Sequence, residues 1–72
     1  MPPRYEIRVA GQLDETTAAA FAGLDVAARG AGTVITGELD QAALHGLLER
    51  IRSLGLELVE ARRARGSGSD SQ

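Results

Sequence analysis

A chain of 72 residues has room for one domain with a small core, and having no cysteine it can form neither a disulfide nor a thiolate metal site. A net charge of −2 with one Tyr, one Phe and no Trp argues against nucleic-acid binding, which needs concentrated basic surface and stacking platforms. A core this small rarely supplies more than about 3–5 kcal/mol, and with disulfides excluded the common remaining staple is self-association.

The opening residues MPPRYEIRV contain no signal-peptide apolar core, and no apolar run approaches the ~18–20 residues a membrane span needs. The expected compartment is the cytoplasm, with no membrane partner. Residues 1–3 read as an extension, 4–65 as the domain, and the GSGSDSQ stretch of 66–72 as a disordered tail.

RYEIRVAG alternates, with Tyr5, Ile7 and Val9 on one face and Arg4, Glu6 and Arg8 on the other, as in a half-buried strand ended by Gly11. A short helix follows. Asp14 is its N-cap, Glu15 suits the positive end of the dipole, and Gly23 closes it. Ala18, Phe21 and Ala22 are its inward candidates, with Phe21 as the anchor.

LDVAARGAGTVITG reads as a hairpin. Leu24, Val26 and Ala28 share a face of the first arm, and Arg29–Gly32 makes a turn with two glycines able to supply positive φ. In the second helix Asp40 is the N-cap, and Leu39 and Leu44 hold the positions of a hydrophobic staple. Leu44, Leu47, Leu48, Ile51 and Leu54 gather on one stripe at 100° per residue, and Gly55 stops the helix with Leu56 poised to meet Ile51. LELVEARR is the last strand. Strict alternation places Leu56 and Leu58 on one face and Glu57, Val59 and Ala61 on the other.

The order β-α-β-β-α-β predicts an α+β fold of ferredoxin-like type. Its four-stranded antiparallel sheet, in the order 4-1-3-2, carries both helices on one face. The uncovered face is expected to hold Glu6, Arg8, Asp25, Arg29 and Glu57, together with Val34, Val59 and Ala61.

The segment VITGELDQAALHGLLERIRSLGLELVEARR resembles a widespread group of short bacterial proteins of unknown function. The shared positions are Thr36, Gly37, Asp40, Gln41, Ala42, Ala43, Leu44, His45, Gly46, Leu47, Leu48, Arg52, Leu54, Gly55 and Leu56. In the first helix the group often carries tryptophan where this chain has Thr16, Thr17 and alanines. The resemblance implies no activity and brings no catalytic residues.

His45, the sole histidine, is the only catalytic candidate. As a general acid or base it would be oriented by Glu49, one turn on. The more ordinary reading, which outweighs it, is a boundary histidine satisfied by a neighbouring oxygen. Gly46 is more informative, because a glycine inside a helix costs about 0.8–1 kcal/mol relative to alanine. Ala42 lies one turn before it, so the pair forms a small ridge suited to close approach. The favoured neighbour is the first helix, and the other is a second subunit. Gly30 and Gly32 do not form a phosphate loop, because no Gly-Lys-Ser/Thr follows and they join two strands. Arg62, Arg63 and Arg65 read as a solvated strand end. No cofactor and no metal site is expected.

These features favour a non-enzymatic interaction or regulatory module, self-associating as a dimer through its open sheet face or its edges. Ala42, Gly46, His45, Arg8 and Val59 are the contact candidates. The alternatives are a small-ligand sensor with its site at a dimer interface, and a small isomerase or cofactor-free oxygenase using His45.

Overall fold

The computed structural model describes residues 2–64. Arg65 and the 66–72 tail lie outside the described residues. The elements are β1 (Arg4–Ala10), α1 (Glu15–Ala19), β2 (Asp25–Arg29), β3 (Gly32–Glu38), α2 (Gln41–Ser53) and β4 (Leu58–Ala64). They form one antiparallel sheet in the order β2-β3-β1-β4, which is the 4-1-3-2 order read from the other edge. Among the described residues no helix is long and apolar enough to cross a membrane.

One face of the sheet carries the core. Ile7 pairs with Ile35 at its centre, and both are fully buried with Val9 beside them. Phe21, Leu39, Leu47 and Ile51 close over them, and Tyr5, Leu24, Val26, Leu44, Leu48 and Leu56 pack around the rim. Burying a side chain of this size contributes about 1.5–3 kcal/mol, so a cluster with so few large members is thin.

Both helices begin as the sequence predicts. The Asp14 carboxylate accepts from the Thr17 amide at 2.8 Å, and the Asp40 carboxylate accepts from the Ala43 amide at 2.7 Å. The α2 stop is a Schellman motif: the Leu56 amide donates to the Ile51 carbonyl at 3.1 Å and the Gly55 amide to the Arg52 carbonyl at 3.0 Å, with Gly55 at φ +75°. Leu54 is corrected from the stripe. As the C-cap it sits past the last inward position and is 43% exposed.

The α1 segment is shorter than expected. Past Ala19 the backbone tightens into i→i−3 bonds, Ala20 to Thr17 and Phe21 to Ala18 at 3.0 Å, before Gly23 turns it. Phe21 is buried as expected, whereas the tightened turn leaves Ala22 exposed.

In the β2–β3 loop only Gly30 adopts positive φ, +59°, at the first of two loop positions, as a type II′ turn requires. Gly32 serves differently. A β-carbon there would stand 2.8 Å from the Val9 carbonyl oxygen, so its task is close approach of β3 to β1.

The largest difference from the sequence reading is in β4. Arg8 is registered with Glu60 and Val9 with Leu58, so Val59 is an extra residue in a β-bulge. Beyond it the alternation is inverted. Ala61 stands opposite Ile7, on the helix side, while Glu60 and Arg62 join Glu6 and Arg8 on the open face. Glu57 precedes the strand.

Candidate functional site

Three surfaces carry the chemistry-bearing residues. The first is the outer side of α2. His45 is exposed there, and so are Gln41 and Glu49. Among the described residues neither makes a hydrogen bond to it, and it lines neither of the depressions described below. The geometry therefore does not assemble the His45–Glu49 pair, because nothing holds the two side chains against each other.

The second surface is a groove of about 330 Å³ between the helices, lined by Phe21, Leu24, Leu39, Ala43, Gly46 and Arg50 among others. Arg50 spans one end and donates to the Ala20 carbonyl at 2.7 Å, capping the α1 turn from α2. Gly46 faces this groove, but a β-carbon built on it meets nothing within 4 Å. The expected close packing of Gly46 on α1 is thus corrected. The helices leave a groove where contact was anticipated. Ala42 is exposed and does not line the groove, and the small α2 residue that lines it with Gly46 is Ala43.

The glycine that receives a side chain from elsewhere in the chain is Gly37. A β-carbon there would overlap the Leu24 side chain. Gly37 pairs with Tyr5 in β3 on the helix side, and Leu24 occupies the space it leaves.

The third surface is the open sheet face with its β4 edge. Charges alternate across it. Glu6 lies 3.4 Å from Arg62 and 3.6 Å from Arg8, and Arg4 lies 3.6 Å from Asp25. Pairs this exposed contribute about 0–1 kcal/mol each, so they specify more than they stabilise. Toward the β2–β3 turn the face is less polar. A shallow depression of about 280 Å³ is lined there by Arg8, Arg29, Thr33, Val34 and Val59. Two of the predicted contact residues, Arg8 and Val59, meet at this depression.

At the β4 edge, Leu58 is 44% and Val59 60% exposed. Among the described residues no strand pairs with the outer side of β4, so the N–H and C=O groups on that side lie beside these apolar side chains. Glu60 and Arg62 on this edge were missed by strict alternation. The signal available was the run of alternating charge itself, Glu60 then Arg62, matching Glu6 then Arg8 across the sheet.

Among the described residues no cluster of three or more His, Asp or Glu is arranged to hold a metal ion. A protein-family model described as Domain of unknown function (DUF8691) matches residues 4–62. No curated protein and no solved structure matches the chain.

Proposed function

The chain belongs to that family of unknown function, and we propose that it acts as a small protein-interaction module that associates with itself. We read the fold as ferredoxin-like, a frame whose uncovered sheet face and two edge strands are open to a partner. The observation that carries the proposal is the β4 edge. Its large apolar side chains, Leu58 and Val59, are 44% and 60% exposed. Single exposed apolar residues are ordinary, but exposed ones beside an unpaired strand edge suit a contact surface. A thin core strengthens the reading, since association buries apolar area the monomer leaves in water.

Sedimentation velocity on the full chain at micromolar concentration tests this. A species of twice the chain mass that dissociates on dilution is the expected result. A monomer at every concentration contradicts it.

The depression on the open face favours a second reading, a sensor for a small anionic ligand bound beside the dimer contact. Arg8 and Arg29 supply positive charge there, and Val34 and Val59 an apolar wall. A thermal-shift screen against amino acids and nucleotides is the test, because a ligand that binds only the folded protein raises its melting temperature. The absence of any stabilising compound counts against this second reading.

A further inference from the structure

We infer that two copies join edge to edge through β4, antiparallel about a two-fold axis at Ala61, with Glu60 of each copy opposite the partner's Arg62. The inference rests on the self-association proposed above and specifies its surface and register.

The register follows from face and charge. In a continuous sheet, directly opposed residues project to the same face, so a one-residue slip would set open-face positions against helix-side ones. On β4, Glu60 and Arg62 share the open face and Ala61 the helix side. Centring the pair on Ala61 places Glu60 opposite the partner's Arg62, twice by symmetry. Sliding by two residues one way opposes Glu60 to the partner's Glu60. Sliding the other way opposes Arg62 to the partner's Arg62. Like charges directly opposed destabilise a strand pair and unlike charges support it. One register near the strand centre therefore satisfies the charges.

That register also extends a row already present. Within one chain Glu60 is registered with Arg8, and Arg62 lies 3.4 Å from Glu6. Joining two copies continues the alternation from Arg8 through Glu60 to the partner's Arg62 and Glu6. Ala61 at the axis is small enough for the strands to approach, and the Val59 bulge ends the regular part of the new ladder.

The other edge, β2, offers Asp25 against Arg29 in a comparable register, but it exposes no large apolar side chain. Pairing through β2 is therefore the competing outcome.

Charge reversal separates these possibilities. Glu60→Arg sets arginine against the partner's Arg62, and Arg62→Glu sets glutamate against the partner's Glu60. Each variant alone is expected to weaken the dimer about tenfold or more. Mixing the two restores both pairs and is expected to recover dimer as a heterodimer, read by sedimentation with one variant labelled. A wild-type dimer that neither substitution weakens overturns the β4 register but leaves self-association standing. A wild-type monomer overturns both.

Should either variant fail to fold, cross-linking decides. The chain has no native cysteine, and residues opposed across a strand pair have Cβ atoms about 4.5–5.5 Å apart. Ala61→Cys is expected to give a covalent dimer under mild oxidation, and Ala27→Cys on β2 is not. The reverse pattern, or no cross-link from a dimeric Ala61→Cys protein, overturns the inference.

Discussion

The carbonyl oxygen of Val9 lies 2.8 Å from the point where Gly32 would carry a β-carbon. The atom in the way is backbone in the central strand, so it cannot swing aside as a side chain can. Gly32→Ala is therefore expected to push β3 from β1 at the Ala10–Gly32 end and destabilise the fold by about 1–3 kcal/mol. Gly37→Ala meets only the Leu24 side chain, which is partly exposed and able to turn. Its cost is expected to be the smaller of the two. Urea unfolding of both variants checks the order, and a larger loss at Gly37 contradicts it.

Gly46 is predicted to behave in the opposite way. It lies inside α2, a methyl group added there would have no neighbour within 4 Å, and alanine is the better helix former. Gly46→Ala should stabilise the isolated protein by about 0.8–1 kcal/mol, seen as a higher melting temperature by circular dichroism. A lower melting temperature would mean that the groove between the helices is closed in solution.

The α1 cap gives a pH prediction. The Asp14 carboxylate is held below its ordinary value of 3.8 chiefly by the Thr17 backbone amide, and further by its side-chain hydrogen bond with Thr17. A carboxylate whose pKa is lowered on folding binds fewer protons folded than unfolded. Its contribution is therefore complete above pH 3.8 and is lost as the pH falls through the lowered value. Asp14→Asn, which keeps a capping oxygen but cannot ionise, should flatten this part of the acid-stability curve. Asp40→Ala removes the α2 cap outright and is expected to cost about 1 kcal/mol at neutral pH. A cap that can be removed without loss at either position would contradict the geometry.

Local signals carried most of the architecture. Asp14 and Asp40 before apolar runs, Gly55 after one, and the alternation of Tyr5, Ile7 and Val9 each correspond to a bond or a buried face in the structure. Those features depend on neighbours a few residues away in the chain. The parts that sequence reading missed depend on partners far away in it. Val59 bulges against β1, at the opposite end of the chain, and one inserted residue moves Ala61, Glu60 and Arg62 to the opposite faces from those predicted. Gly46 and Gly37 look alike in sequence, each a glycine within an element. Only the fold shows Leu24 over Gly37 and open space beside Gly46. His45 illustrates the same limit, since a helical wheel places Glu49 within reach but does not show that both side chains stand in solvent.

Amide hydrogen exchange, followed at high and low protein concentration, tests the β4 contact most directly. Outward-facing β4 amides should be protected at high concentration and exchange freely on dilution, while β2 amides exchange equally fast at both. Concentration-dependent protection on β2, or none on either edge, would contradict pairing through β4.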